Sequence, residues 1–148
     1  MSIFPVCLLV CLLLVQVVAP ETTERSEQRF REFVRQHIIE AMYSNDCTTE
    51  MANRNITKKV RTTDRIEQNE TKGPKKINTF IIANENEVKA ICHGKNGPEV
   101  LSANKFNIVV CELITEGHYK GRQDYQIIVV ECANNLPVHF CDQIKRKG

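Results

Sequence analysis

The seven cysteines constrain this chain most, and an apolar N-terminal segment decides which of them matter. Residues 1–20 carry no charged side chain, and the run from Ile3 to Ala19 is almost wholly apolar. This pattern is typical of a secretory signal peptide, which we expect to be cut near residues 19–24. A signal anchor is the alternative, but the run is short for a spanning helix, which needs about 20 apolar residues.

Removal of that segment leaves five cysteines in the mature chain: Cys47, Cys92, Cys111, Cys132 and Cys141. In an oxidising compartment, four of them could form two disulfides in three ways, with one thiol left over. The sequence contains no C-x-x-C pair, which disfavours a zinc ribbon or a thioredoxin-type site. We therefore expect a secreted, disulfide-containing protein with no metal ion and no cofactor.

The size and charge of the chain limit its class. A chain of 148 residues suits one globular domain, here residues 21–148. Twenty basic residues balance 18 acidic ones, so the net charge alone gives no argument for binding nucleic acid or membrane. A local site must carry any such function.

The first element of the mature chain is predicted to be a helix. Apolar residues fall on one face at helical spacing, with Ser26 as a plausible N-cap and Ser44 to Asp46 as the stop. The stripe consists of Phe30, Phe33, Val34, His37, Ile38 and Ala41. A short second helix is expected from Thr48 to about Asn53.

Residues of about 54 to 74 have few apolar side chains and many charges of both signs. This composition predicts a long, charged, exposed loop. Asn55 and Asn69 begin N-x-T triplets, which indicates glycosylation at a surface position. Lys58, Lys59 and Arg61, like the C-terminal run Lys145 to Lys147, could bind a polyanion, although ordinary solvated charge explains them equally well.

The second half of the chain carries strand patterns. A capping box at Asn84 to Glu87 opens a helix to Cys92, and residues 117–123 have the composition of a turn. Strands are predicted at Ile77–Ile82, Phe106–Leu113, Gln126–Val130 and Val138–Phe140. Helices early and strands late favour an α+β class with an antiparallel sheet.

Four histidines are the candidate acid–base groups. On the pattern alone, His37 on an apolar helix face is more simply a packed core residue, and His139 a half-exposed strand residue. His93 and His118 fall in turn-like segments and are expected to be solvated. Spacing alone does not bring His37 and His139 together.

Three blocks of sequence, taken in order, resemble the active-site segments of the pancreatic-type ribonuclease superfamily, and of its angiogenin branch in particular. They are Gln36-His37, Lys75-Lys76-Ile77-Asn78-Thr79-Phe80 and Leu136-Pro137-Val138-His139-Phe140. The resemblance implies three short helices and a bent, V-shaped antiparallel sheet. It also implies the disulfides Cys47–Cys111 and Cys92–Cys132. A third family disulfide is absent, with Pro74 at one end and the Gly121 region at the other.

The resemblance further implies an endoribonuclease that cuts RNA 3′ of pyrimidines through a 2′,3′-cyclic phosphate. His37 would be the base, His139 the acid, and Lys75 would stabilise charge on the phosphate. Gln36 and the Phe140 N–H would bind that phosphate. Asn78 and Thr79 would serve substrate binding, with Thr79 reading the pyrimidine.

Departures from the family pattern predict weak activity. Cys141 stands where an acidic residue usually orients the acid histidine, and regular strand alternation would turn Asp142 to the other face. Cys141 would then be a free thiol beside the imidazole. The alternative is a secreted angiogenic or host-defence binding protein with little or no catalysis. Expected partners are RNA, and alternatively a polyanionic cell surface or a ribonuclease inhibitor; we expect a monomer, with a dimer through Cys141 as the alternative.

Overall fold

The computed structural model describes residues 22–61 and 70–143. The predicted signal peptide, Asn69 and the basic C-terminal run therefore lie outside the described residues. Within them, the α-helices are α1 (Thr23–His37), α2 (Cys47–Asn53) and α3 (Glu85–Lys89), with 3-10 turns at Ser44–Asp46 and Ala90–Cys92. No helix in this part of the chain is long and apolar enough to cross a membrane.

Nine strands lie in the same described ranges. They are β1 (Ile38–Ile39), β2 (Thr57–Arg61), β3 (Glu70–Pro74), β4 (Ile77–Ile82), β5 (Gly97–Leu101), β6 (Phe106–Thr115), β7 (His118–Gln126), β8 (Ile128–Ala133) and β9 (Leu136–Gln143). They form a four-stranded sheet in the order β1-β4-β6-β7, a three-stranded sheet β5-β8-β9 and a separate hairpin β2-β3. All pairs are antiparallel except β1 with β4. The α+β class with three helices is confirmed.

Helix α1 differs from its prediction at both ends. Its N-cap is Thr22, whose hydroxyl accepts from the Arg25 N–H, whereas Ser26 lies buried inside the helix. The Ser26 hydroxyl accepts from the Asn134 side chain at 2.8 Å, which ties the helix to the β8–β9 turn. The helix ends at His37 rather than at Ser44, because Ile38 and Ile39 pair with β4. His37 therefore sits at the junction of a helix and a sheet.

Besides β1, four strands lie where none was predicted. The predicted turn at residues 117–123 belongs to β7, the long loop at 54–74 contains the β2-β3 hairpin, and β5 had no assignment. Strand β7 is an edge strand with few apolar residues, so its sequence, His-Tyr-Lys-Gly-Arg-Gln-Asp-Tyr-Gln, lacks a hydrophobic pattern. In the predicted loop of residues 54–74, residues 57–61 and 70–74 are strands, so the loop prediction is wrong for these two segments.

Two disulfides and two apolar clusters hold the sheets together. Cys47–Cys111 and Cys92–Cys132 are both formed, as the resemblance implied. Each bridge lies within one of the clusters, the first around Phe80 and Met51 and the second around Ile81 and Val130. Strand β7 passes so near the 3-10 turn that a Cβ on Gly121 would stand 1.9 Å from the Ser44 carbonyl oxygen. Only glycine fits there.

Strand β9 contains a β-bulge just after its histidine. Phe140 pairs with Val130 and Asp142 pairs with Val129, so Cys141 is an extra residue with no partner on β8. His139 pairs with Glu131, which lies on the same face of β8 as Val129. The bulge thus places Asp142 on the face of His139, and the expectation that it faces the other way is wrong.

Candidate active site

One cavity collects most of the residues singled out in the sequence. It has a volume of about 570 Å³ and lies between the end of α1, the start of β4 and the end of β9. Its wall includes His37, Lys75, Asn78, Thr79, His139, Phe140 and Cys141. Residues 102 positions apart thus meet at one site, as the resemblance implied and as spacing could not show.

His37 is held rigidly in this wall. It is only 7% exposed, its ring stacks against Phe140 at a centroid distance of 5.2 Å, and Phe33 lies at the same distance on a tilted plane. Its Nδ1 lies 2.8 Å from the Thr79 carbonyl oxygen. A carbonyl can only accept, so Nδ1 carries the proton and Nε2 carries the lone pair of the neutral ring.

The surroundings of His37 keep it neutral. Burial lowers its pKa from 6.5 to about 3, against the hydrogen bond to Thr79, which raises it. The positive charges of Lys75 and His139 lower the pKa further.

Lys75 is fixed by Asn78. The Lys75 ammonium donates to the Asn78 Oδ1 at 2.9 Å, and the Asn78 amide donates to the Gln36 carbonyl at 2.8 Å. Burial lowers the pKa of Lys75, and the charge of Arg35 lowers it further. Asn78 is 1% exposed and lies in the cavity wall, where it positions Lys75 against the end of α1; its expected contact with a substrate stays a prediction.

The backbone of Lys75 is tied down from a different strand. The Tyr119 hydroxyl donates to the Lys75 carbonyl oxygen at 2.6 Å, and the Tyr119 N–H donates to the Thr48 hydroxyl at 2.9 Å. Tyr119 therefore links the segment before β4 to helix α2. This contact lies next to Pro74, which stands where the family pattern has a cysteine of the missing third disulfide.

The hydroxyl of Thr79 is already engaged. It donates to the Gln143 Oε1 at 3.4 Å, from the last residue of β9. Thr79 is 4% exposed, although it lines the cavity. A base atom that accepts the hydroxyl hydrogen must compete with Gln143, whereas the lone pairs of the hydroxyl oxygen can still accept from a base.

The strand carrying the second histidine is more open. His139 is exposed on β9, and Asp142, on the same face, also lines the cavity. The Cys141 thiol is unpaired, as expected, but it donates to the Pro98 carbonyl oxygen at 3.4 Å rather than to an imidazole. Burial raises the pKa of this thiol, and the nearby carboxylates of Glu131, Glu99 and Asp142 raise it further.

Gln36 lies apart from the cavity wall. Its carbonyl oxygen accepts from Asn78, and its side chain hydrogen-bonds the Glu32 carboxyl, which helps to lower the pKa of Glu32. A phosphate-binding role for Gln36 therefore requires its side chain to turn. His93 and His118 are exposed, as predicted, and neither lines the cavity.

Comparison with known proteins assigns this arrangement to a family. The family model described as pancreatic ribonuclease matches residues 28–141. The chain is 31% identical to angiogenin-1 of Bos taurus over 136 residues, covering 83% of this chain and 82% of that protein. The chain belongs to the pancreatic ribonuclease family.

Further relatives agree in sequence and in fold. Ribonuclease-like 3 of Danio rerio is 30% identical over 146 residues, covering 91% of this chain and 90% of that protein. The solved structure of RNASE ZF-1A superposes with a TM-score of 0.67 at 28% identity, covering 86% of this chain and 99% of that one. The protein is therefore a pancreatic-type endoribonuclease of angiogenin-like character.

Several residues around the site of this ribonuclease had no sequence signal. Arg122 and Tyr119 lie on β7, which had been predicted partly as a turn, and Gln143 lies beyond the predicted end of β9. Arg122 lines the cavity and pairs with Asp124 at 3.2 Å. Within residues 22–61 and 70–143, no group of three or more His, Cys, Asp or Glu side chains is placed to hold a metal ion.

Proposed function

We propose that this ribonuclease is secreted and cleaves RNA 3′ of pyrimidines by two-step transphosphorylation and hydrolysis. The observation that carries the proposal is a neutral His37, with its Nε2 lone pair available, in one cavity with His139 and Lys75. A neutral imidazole with a free lone pair can act as a general base, and the negative charge of a bound phosphate would offset the burial that disfavours its protonated form.

In the first step, His37 Nε2 takes the proton of the ribose 2′-hydroxyl. The 2′-oxygen attacks phosphorus, and the bond from phosphorus to the 5′-oxygen breaks. His139 gives its proton to the departing 5′-oxygen, which leaves a 2′,3′-cyclic phosphate. In the second step the roles reverse: His139 takes a proton from water, which opens the ring, and His37 returns its proton to the 2′-oxygen. DNA has no 2′-hydroxyl and cannot react in this way.

Lys75 provides the charge that the phosphate needs. Its ammonium, held by Asn78 at the cavity wall, would stabilise negative charge on the non-bridging oxygens of the phosphate. The Phe140 N–H would add a backbone donor, and Gln36 would add another after its side chain turns from Glu32. Thr79, with one hydroxyl and one N–H, would read the pyrimidine edge.

One contact supports a weak activity. The Thr79 hydroxyl donates to Gln143, so a base atom that accepts from this hydroxyl must break an internal hydrogen bond. The exposed Asn55 would carry a glycan, as its N-x-T triplet indicates.

The deciding experiment is RNA cleavage by the mature protein. Wild type should cut poly(C) and poly(U) faster than poly(A), and His139→Ala and Lys75→Ala should each lose roughly 10²- to 10⁴-fold. His118→Ala is the matched control, since His118 is exposed and outside the cavity. Retention of full cleavage by His139→Ala in a folded protein would refute the mechanism. No cleavage by wild type would favour the alternative of a binding protein on a ribonuclease fold.

A further inference from the structure

A row of three side chains crosses the four-stranded sheet at the residue proposed to read the base. Thr79 of β4 pairs with Val110 of β6, and Val110 pairs with Arg122 of β7. Directly paired residues lie on the same face of a sheet, and all three line the cavity. Neighbouring strands are about 4.8 Å apart, so the Cα atoms of Thr79 and Arg122 are about 10 Å apart. The Arg122 side chain can therefore lie over Val110 and bring its guanidinium to a base seated at Thr79.

Arg122 has hydrogen-bond donors to offer a ligand. Its guanidinium donates to the Asp124 carboxylate at 3.2 Å, and that carboxylate also accepts from the Gln126 side chain and the Tyr125 N–H. Asp124 is thus held in place and orients Arg122. An arginine side chain has five N–H groups and no acceptor, and among the residues that the structure describes Asp124 alone accepts from this one. Arg122 can therefore donate to a base but cannot accept from it.

The Thr79 hydroxyl presents the opposite polarity. Its hydrogen is donated to the Gln143 Oε1 at 3.4 Å, so the hydroxyl oxygen offers its lone pairs to a base. Glu112, a carboxylate in the same cavity wall, lies one row nearer to the start of β4 and is not part of the row of Thr79 and Arg122. The edge of a base seated in this row therefore meets an acceptor at Thr79 and a donor at Arg122.

This order of acceptor and donor fits uracil and not cytosine. Uracil presents an N3–H donor and an O4 acceptor on this edge, whereas cytosine presents an N3 acceptor and an N4 amino donor. The O2 carbonyl is common to both bases and does not distinguish them. We propose that Arg122, together with the Thr79 hydroxyl that Gln143 orients, makes the site select uracil over cytosine. This inference rests on the proposed function, because it takes a pyrimidine to be the base held at Thr79.

The test compares two dinucleotides that differ in one base. The measurement is kcat/KM on uridylyl-adenosine and on cytidylyl-adenosine. Wild type should favour the uridine substrate by roughly tenfold, because two hydrogen bonds distinguish the bases. Arg122→Met should lose about two- to tenfold on the uridine substrate, as expected for one hydrogen bond, with little change on the cytidine substrate.

A matched control separates hydrogen bonding from charge. Lys120→Met removes a positive charge from the same face of β7, two residues from Arg122 and outside the cavity wall, and should leave the preference for uridine unchanged. Gln143→Ala releases the Thr79 hydroxyl to donate to cytosine N3, so it should narrow the preference by about two- to fivefold.

Several outcomes would overturn the proposal. Equal wild-type rates on the two dinucleotides, or a preference for the cytidine substrate, would each do so. An equal loss on both substrates in Arg122→Met would show that Arg122 acts only as a positive charge, and would also overturn it.

Binding of uridine 3′-monophosphate and cytidine 3′-monophosphate, measured by calorimetry, tests the same selection without catalysis. Tighter binding of the uridine nucleotide by wild type, with that difference lost in Arg122→Met, would support the proposal even if wild type cleaved nothing. Equal binding of the two nucleotides by wild type would overturn the selection of uracil while leaving RNA cleavage and its dependence on His139 and Lys75 intact.

Discussion

The two histidines of the cavity are embedded in opposite ways. His37 ends a helix, is buried between two phenylalanine rings and donates to a backbone carbonyl. His139 lies exposed on a strand and is followed by a bulge. One imidazole is thus part of the core, and the other is part of the surface. The proposed general base of this ribonuclease is therefore part of its folded core, whereas the proposed general acid is not.

The largest expected effects are those of replacing each histidine, and the two variants should differ in their free energy of unfolding. His37→Ala and His139→Ala should both lose roughly 10²- to 10⁴-fold in RNA cleavage. Only His37→Ala removes a buried hydrogen bond to the Thr79 carbonyl and the packing against Phe33 and Phe140, so its free energy of unfolding should fall by about 1–3 kcal/mol. Urea unfolding of both variants measures the difference. Equal stabilities would contradict the contrast between core and surface.

The second expected effect is a pH dependence of stability that comes from His37. The ring has a pKa of about 3 when folded and 6.5 when unfolded, so the unfolded chain binds the extra proton between these values. The stabilisation is complete above about pH 6.5 and is lost as the pH falls toward 3, by at most about 1.4 kcal/mol per pH unit. Urea unfolding of wild type and His37→Gln from pH 7 to pH 4 should show a smaller slope in the variant. The control is His93→Gln, an exposed histidine outside the cavity, and a slope equally reduced in both variants would contradict the prediction.

The third expected effect concerns the link from Tyr119 to Lys75. Tyr119→Phe removes one hydrogen bond and should lower kcat by roughly three- to tenfold, with a smaller change in KM. Tyr125→Phe, on the same strand but exposed, is the control. In a Lys75→Ala background, Tyr119→Phe should have no further effect on cleavage. A full effect in that background would show that Tyr119 acts on something other than Lys75.

The smallest expected effect is at the end of the exposed strand. Gln143→Ala frees the Thr79 hydroxyl and should raise kcat/KM on poly(C) by about two- to fivefold, with poly(A) unchanged. Gln123→Ala, an exposed glutamine on β7, should change neither substrate. A fall in poly(C) cleavage by Gln143→Ala would mean that Gln143 assists base binding.

The sequence predicts the parts of this site that are encoded locally. The apolar stripe of α1 placed His37 on a buried face, and the run Ile77–Ile82 coincides with β4. The same stripe led to a predicted helix that is too long, because an apolar residue such as Ile38 fits the buried face of a helix and of a strand equally well. Pairing with β4, at residues 81 and 82, decides between them, and such a partner is not visible in a local pattern.

Contacts between distant segments could not be predicted from the residues alone. Tyr119 meets Lys75 across 44 positions, and Gln143 meets Thr79 across 64. Both contacts depend on strand registers that no local periodicity encodes. The family resemblance identified His37, Lys75 and His139 as one site because the fold of the family, including its strand registers, is implied by the resemblance. It could not supply Tyr119 or Gln143, which no family block contains.

The bulge at Cys141 has a consequence for how relatives of this protein are aligned. Counting from His139, an alignment column matches Cys141 to the family's acidic residue and Asp142 to the next position. The extra residue in β9 changes which side chains share a face, so that Asp142 lies with His139. A count of residues along β9 therefore does not by itself show which side chains share a face with His139. Substitutions copied from a relative into residues 141–143 should be chosen by strand partner and not by column.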